Sequence, residues 1–426
     1  MILIILISFF VLLFLGMPIA FTMGTVTIGV MFLQGISFEI MVQRMFAGVN
    51  SFSLLALPLF ILAGNIMGKG GLTKRLMRLA NAIVGKLSGG LAMTGVVTST
   101  LFGAVSGSTV ATTFAVGSVL VPRMKEQKYS NAFIASIIGP AGVLGLIIPP
   151  SITMVVLGIS TNISIGKLFI AGLLPGILLT IFICIYAGYM SKRKGYGVVE
   201  QTKSSGIEFL RICKEAFLPL MTPVFILGGI FSGLVTATEA AVIAVLYGFI
   251  LAMFYRELTF NKFKEIMINS AITSASILVI ISVASSFSYV LTVNKIPDMI
   301  SNFFLQYAST PIQFLLMVSL ILFILGTLTE VTSLIILLSP IFMPIAMQYG
   351  IDPIHFGMVL ILNFALANIT PPVGLSLIAG CSITDKNMGI ENTLPYILHI
   401  IGIVALIVLI VIFVPSISTI LPQIFG

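Results

Sequence analysis

Twice in this chain a long apolar run is interrupted by a tip rich in serine, threonine and glycine, and the next apolar run is interrupted by two adjacent prolines. The first set reads Gly103-Ala-Val-Ser106-Gly107-Ser108-Thr109, then Leu146-Ile-Ile148-Pro149-Pro150-Ser151. The second reads Gly326-Thr327-Leu-Thr329-Glu330-Val-Thr332, then Asn368-Ile-Thr370-Pro371-Pro372-Val-Gly374. Gly103 recurs as Gly326 after 223 positions, Pro149 as Pro371 after 222, Pro122 as Pro344 after 222 and Pro175 as Pro395 after 220. Four landmarks in register imply a duplicated unit, far longer than a solenoid period of about 20 to 50 residues. In a bilayer, unwound backbone is tolerated only where protein or a cavity satisfies its amides and carbonyls. Matched breaks in two halves therefore point to a shared binding site.

That the solvent is a bilayer follows from composition. Hydrophobic residues make up 58% and charged residues 8%, against about 25% charged in soluble domains. Cys184, Cys213 and Cys381 are too scattered for a disulfide frame or a zinc site. With no tryptophan, tyrosine and phenylalanine must supply the interfacial belts. Residues 1–35 lack the basic start and small-residue cleavage site of a signal peptide and read as mature membrane structure.

At about 20 residues per crossing, the apolar runs give an all-α polytopic map. The first repeat, 1–190, holds two short spans in 2–35 divided near Gly16-Met-Pro18, a span at 53–68 and a basic amphipathic arm at 70–86. A re-entrant hairpin at 89–122, a broken helix at 130–160 and a span at 167–190 complete it. A polar linker at 191–215 leads to the second repeat, 216–426. There we expect spans at 216–234, 237–254 and 266–291, an arm at 296–308, a hairpin at 311–346, a broken helix at 355–380 and a last span at 394–422.

Five crossings per repeat, an odd number, make the second copy inverted. With 191–215 in the cytoplasm, all of the 21 basic residues except Arg44, Lys167 and Lys295 fall on the cytoplasmic side. That is the positive-inside pattern. The net charge of +8 is then a matter of topology and lipid headgroups, with nothing to suggest a nucleic-acid partner.

The proline pairs each remove two amide donors and bar the preceding residue from helical conformation. Freed carbonyls, with the hydroxyls of Ser106, Ser108 and Ser151 in one half and Thr329, Thr332 and Thr370 in the other, form hard oxygen clusters suited to Na⁺. Gly103, Gly107, Gly145, Gly326 and Gly374 allow tight folding there. Half-helix amides would face an anionic substrate. A lone Pro or Ser in a membrane helix is commonly a kink or a back-bonding hydroxyl; the matched pairing is what points to function.

Isolated charges carry their own plain readings. Glu330 at the second tip is an intramembrane functional candidate, or a half-helix cap. Glu239 follows Thr236 at capping-box spacing and reads as structural. Lys295, isolated on the sparsely charged outer side, either meets a carboxylate substrate or snorkels to the interface, and a solvated loop position is the plainer reading. His355 and His399 adjoin no ligand cluster, and segments 70–86 and 203–214 read as surface-lying arms.

Several motifs together resemble the large membrane subunit of tripartite ATP-independent periplasmic transporters. They are Leu57-Pro-Leu-Phe60, Ala63-Gly64-Asn65-Ile-Met67, Val105-Ser106-Gly107-Ser108 with Ala111-Thr112, and Leu144-Gly145 to Ile148-Pro149-Pro150-Ser151. In the second half they are Thr236-Ala-Thr-Glu239-Ala-Ala, Gly350-Ile-Asp352-Pro353-Ile-His355-Phe-Gly357 and Ile369-Thr370-Pro371-Pro372-Val-Gly374. The match covers essentially the whole chain. It implies an elevator-type member of the ion-transporter superfamily in a bacterial inner membrane. Such a protein imports organic anions such as C4-dicarboxylates or sialic acid with Na⁺ as coupling ion and no other cofactor. It also implies two partners, a periplasmic solute-binding protein and a small membrane subunit, here expected as a separate polypeptide. Carried onto this chain, Ser106, Gly107, Ser108 and Thr109 with Gly145, Pro149, Pro150 and Ser151 frame one cation site. Gly326, Thr327, Thr329 and Glu330 with Thr370, Pro372 and Gly374 frame the other. Substrate would lie between the tips, near Ser106, Ser108, Ser151, Glu330 and Thr332, with Lys295 as a further contact.

Rival classes fit less well. An intramembrane protease needs a nucleophile with a base, paired aspartates or a zinc motif. The only aspartates are Asp298, Asp352 and Asp385, there is no HExxH, and Ala104-Val-Ser106-Gly107 lacks the first glycine of a GxSG site. A channel explains inverted hairpins but not proline-broken spans with hydroxyl clusters. The nearest alternative is a stand-alone Na⁺/carboxylate symporter of the same architecture.

Overall fold

The computed structural model describes residues 1–197 and 206–425, and regular structure among them is entirely helical. Lys203, expected in the cytoplasm, lies outside these residues. Helices α1 (Ile2–Phe14) and α2 (Ile19–Gln34) are divided at Gly16 and Pro18, as the sequence suggests. An amphipathic helix α3 (Phe38–Val49), absent from the sequence map, follows, and Ser37 caps it by accepting from the Glu39 amide at 3.3 Å. A 3-10 turn, Phe52–Leu55, leads into α4 (Ala56–Lys69). The arm α5 (Leu72–Val84) buries Leu72, Leu76, Met77 and Leu79 and turns Lys74 and Arg78 outward.

Next come α6 (Gly90–Ser106) and α7 (Thr109–Glu126), joined only by Gly107 and Ser108. Helices α8 (Asn131–Ala141), α9 (Leu144–Ile147) and α10 (Ile152–Thr161) form one apolar stretch bent by 41°. Then α11 (Ile165–Lys194), α12 (Gly206–Phe231), α13 (Ala237–Phe254) and α14 (Phe260–Val293) are long and continuous. The chain continues through α15 (Ile296–Tyr307), α16 (Pro311–Gly326) and α17 (Val331–Gln348). It ends with α18 (Pro353–Ala367), α19 (Leu375–Thr384), α20 (Leu394–Phe413) and α21 (Ser416–Phe425). Capping sets several starts. Thr310 and Gln313 form a capping box at α16, and Thr236 with Glu239 does the same at α13, the structural role expected for Glu239.

Three boundaries differ from the sequence map. The stretch read as a polar linker is helical at both ends, since α11 runs to Lys194 and α12 starts at Gly206. Its charges are spaced for a helix, with Arg211 and Glu215 one turn apart and 3.3 Å from each other. The last expected span is cut at Pro415, which has no amide to continue α20 and instead leads into α21, its carbonyl accepting from Ser418 and Thr419. The crossing count differs too. Among the described residues seven helices are long and apolar enough to cross a membrane, or eight if the bent pair is one span, against ten expected. The shortfall lies in short or broken helices such as α1, which at 13 residues is about 20 Å long against a hydrocarbon core of about 30 Å.

The molecule sorts its helices by burial. Every residue of α18 from Ile354 to Ala367 is buried, as is α8 from Phe133 to Ala141, the pattern of a helix apolar all round in the centre of a bundle. Little of helices α12 and α14 is buried, 22% and 28% over their apolar windows, and they present apolar side chains outward as a lipid-facing surface does. At the centre, α8 and α19 touch backbone to backbone. A Cβ on Gly380 would stand 2.8 Å from the Cα of Gly139, so only glycine permits this crossing. Ser376 of α19 fastens it by donating to the Gly139 carbonyl at 2.5 Å.

Candidate functional site

Each tip folds against the proline pair of its own half. The carbonyl of Gly107 accepts from the Ile152 amide at 3.2 Å, and that of Thr327 accepts from the Val373 amide at 3.3 Å. Both Pro149-Pro150 and Pro371-Pro372 bonds are cis. Gly107 sits at φ 62°, and a Cβ there would lie 2.7 Å from the Pro150 carbonyl, so the first tip requires glycine on two counts. Gly145 packs under the tip, 3.0 Å from a Cβ position to the Ser108 carbonyl and to Thr112 Oγ1. Gly326 abuts Ala367 in the second half, and Gly374 takes a left-handed conformation just after the second proline pair.

Ser106, Ser151, Thr327, Thr329 and Thr370 each donate to a backbone carbonyl, which leaves oxygen lone pairs to accept. Ser106 Oγ lies 2.7 Å from Thr112 Oγ1 and 3.4 Å from the Ser108 carbonyl. Ser151 donates to the Leu146 carbonyl at 2.7 Å and Thr370 to that of Leu366 at 2.7 Å. Thr327 and Thr329 donate to Ile324 and Leu325 at 2.8 and 3.3 Å. A hydroxyl whose hydrogen is held by a carbonyl still offers its oxygen to a cation.

Four helix starts surround a single cavity of about 730 Å³. They are the beginnings of α7 (Ser108, Thr109), α10 (Ile152, Thr153), α17 (Thr332, Ser333) and α19 (Leu375). Ser108 and Ser151 cap two of them, accepting from the amides of Ala111 and Met154 at 3.5 and 3.3 Å. Glu330 caps the third, each carboxylate oxygen accepting at 2.9 Å, one from the Thr332 amide and the other from the Ser333 amide. Such starts carry partial positive charge and unpaired amides, a setting for anions.

Thr329, Glu330 and Thr332 thus face the same cavity as Gly107, Ser108 and Thr109. Ser106, Ser151, Thr327 and Thr370 are buried directly behind the tips and breaks. Lys295 is not among the lining residues; it is exposed at the start of α15. Several lining or supporting residues escape a reading based on the two motifs. Thr112 pairs with Ser106, and Asn368 lines the cavity while its Oδ1 accepts from the Ser376 amide at 3.1 Å. The opposite wall comes from outside the broken elements, from the α1–α2 link and from Thr273, Ser276 and Ile280 of α14. Their three- and four-residue spacing marks one helix face, a signal diluted in α14 by its many other hydroxyls.

The chain matches the family described as tripartite ATP-independent periplasmic transporter, DctM component, over residues 6–417. It is 38% identical to the isethionate TRAP transporter permease protein DctMQ of Oleidesulfovibrio alaskensis, over 94% of this chain and 63% of that longer protein, so it spans less than two thirds of that relative. Two relatives of similar length are large permease proteins. The C4-dicarboxylate protein DctM of Pseudomonas aeruginosa is 38% identical over 90% of this chain and 89% of its own, and the sialic acid protein SiaM of Vibrio cholerae is 34% identical over 97% and 96%. Among solved structures, Neisseria gonorrhoeae MtrF, from a class of antimetabolite efflux pumps, aligns with TM-score 0.58 at 16% identity over 88% of this chain and 84% of its own. That likeness concerns the fold alone.

Proposed function

This chain belongs to the tripartite ATP-independent periplasmic transporters as their DctM component, the large permease subunit, and from that premise we propose that it carries a small organic anion inward together with Na⁺. The observation that carries the reading is the convergence of four half-helix starts and two hydroxyl-bearing tips on one cavity. Helix starts attract the anion's carboxylate or sulfonate, and the oxygen clusters around Ser106, Thr112 and Ser151 and around Thr327, Thr329 and Thr370 take the cations. Bound cations behind each tip hold the tip against its proline pair, so the helix starts are aimed at the substrate only when Na⁺ is present. Affinity for the anion is thereby coupled to Na⁺, as linkage between sites requires.

In this reading the two hairpins, α6–α7 and α16–α17, with the broken helices α8–α10 and α18–α19, form the moving body. The wall supplied by α1, α2 and α14 belongs to the static scaffold. The two halves are inverted repeats, the subunit resides in the inner membrane, and substrate is received from a periplasmic binding protein with a small membrane subunit alongside. Relatives act on C4-dicarboxylate, sialic acid and isethionate, all anionic, and the cavity's helix starts suit that shared charge.

The experiment is uptake into proteoliposomes of labelled succinate, a sialic acid and isethionate, with and without Na⁺ and with and without the cognate binding protein. Uptake of one of these that requires both Na⁺ and the binding protein is expected. Equal uptake in Na⁺-free buffer sinks the cation reading, and full uptake without the binding protein favours a stand-alone symporter.

A further inference from the structure

A second cavity, about 710 Å³, opens where the arm α5 meets the start of α12 and the end of α13. Five cations line it, Lys74, Arg75 and Arg78 from the arm and Arg211 and Lys214 from α12, against only two carboxylates, Glu215 and Glu257. The carboxylates do not consume this charge. Glu215 is shared between Arg78 at 3.0 Å and Arg211 at 3.3 Å, whose side chains are still 67% and 80% exposed. Exposed pairs of this kind are weak and open readily to a competing anion. Glu257 leans on Lys262 at 4.0 Å. Among the described residues Lys74 and Lys214 have no ion-pair or hydrogen-bond partner at all.

The rest of the wall is apolar and faces outward. Phe254 is 71% exposed, and Tyr255 is held under the Arg75 guanidinium, 3.5 Å from the ring centroid. Leu218 joins them, and Leu210 and Ile207 continue the exposed apolar surface along α12. A cationic pocket whose rim runs into a lipid-facing surface suits an amphiphile, with the charge for a phosphate and the rim for acyl chains. A soluble phosphate would leave that rim without a role. We propose that this pocket binds the headgroup of an anionic phospholipid and so ties the arm α5 to α12. The inference requires only that this basic face meets the bilayer surface, so its outcome is independent of which solute the central cavity carries.

The chain has no tryptophan, so Phe254→Trp gives a single reporter in the pocket wall. The full chain is reconstituted into liposomes, free of any other protein, of phosphatidylcholine doped with brominated phosphatidylglycerol or, separately, brominated phosphatidylcholine, and quenching is followed against mole fraction. Quenching by the anionic lipid is expected at a fraction at least tenfold lower. Lys74→Gln and Lys214→Gln, exposed positions whose change leaves packing intact, should each shift that fraction upward about five-fold, the equivalent of about 1 kcal/mol per surface cation. Lys192→Gln, outside the pocket, should not shift it. Equal quenching by the two lipids, or a preference unmoved by both pocket variants, overturns the proposal. Displacement of the lipid preference by millimolar inorganic phosphate overturns it as well, in favour of a soluble anion.

Discussion

Among the described residues Glu330 is the one carboxylate that lines the central cavity, and its geometry makes it a cap. Both oxygens are spent on the first amides of α17, where a negative charge also suits the helix dipole. Removing the cap by Glu330→Ala should cost about 1 kcal/mol of local stability and loosen the second tip, lowering uptake several-fold. Glu330→Asn keeps a capping oxygen without the charge and should restore most of the uptake; transport as poor as that of Glu330→Ala would mean that the charge itself is used. At this scale the sequence was informative about the tips and breaks, because serine, threonine and glycine stand out in apolar surroundings. For Lys295 it offered a substrate contact beside the plainer reading of a solvated loop residue, and the exposed place at the start of α15, outside the cavity lining, agrees with the plainer one. It showed Thr112 and Asn368 within the motifs without giving either a role, and it was silent on the α14 hydroxyls, because such roles depend on which helices meet.

Among elements, the proline pairs decide where helices stop. Pro149-Pro150 leaves the tip carbonyl of Gly107 to bond the Ile152 amide, and Pro371-Pro372 leaves that of Thr327 to bond the Val373 amide. Replacing either pair by Ala-Ala returns two amide donors and permits continuous helix across the break. Na⁺-coupled uptake should fall at least tenfold while the protein still inserts and purifies in normal yield. Uptake within two-fold of the parent would show that the breaks are incidental kinks. Breaks at proline and glycine were legible because they have a local cause. The presence of α3, and the unbroken run of α12 from the basic segment read as an arm into the following span, were not, since a charged amphipathic helix and a polar loop look alike until a packing partner exists.

For the whole molecule, the cavity has walls of two kinds, the tips and breaks on one side and α1, α2 and α14 on the other. If the first travels past the second, bridging them must stop transport. Cysteines at Val110 in the first hairpin and Ile280 in α14, both lining the cavity, can be joined by a bifunctional thiol reagent with a reducible spacer. Uptake should vanish on bridging and return on reduction, whereas full uptake with the bridge intact would exclude an elevator and favour local gating of a fixed site. The repeat offset of 220 to 223 residues made it legible that the two halves would line one cavity. It could not reveal the opposite wall, because α14 contributes a helix face and no break of its own.

The central claim is that both tips close on one anion only when Na⁺ is bound, and it can be read directly at Leu328, which lines the cavity on the second tip and is 38% exposed. In a background lacking Cys184, Cys213 and Cys381, the alkylation rate of Leu328→Cys is measured with Na⁺ alone, with the transported anion alone, and with both. Strong protection only when both are present is the predicted result. Protection by the anion in Na⁺-free buffer, or none under conditions that support uptake, would contradict it.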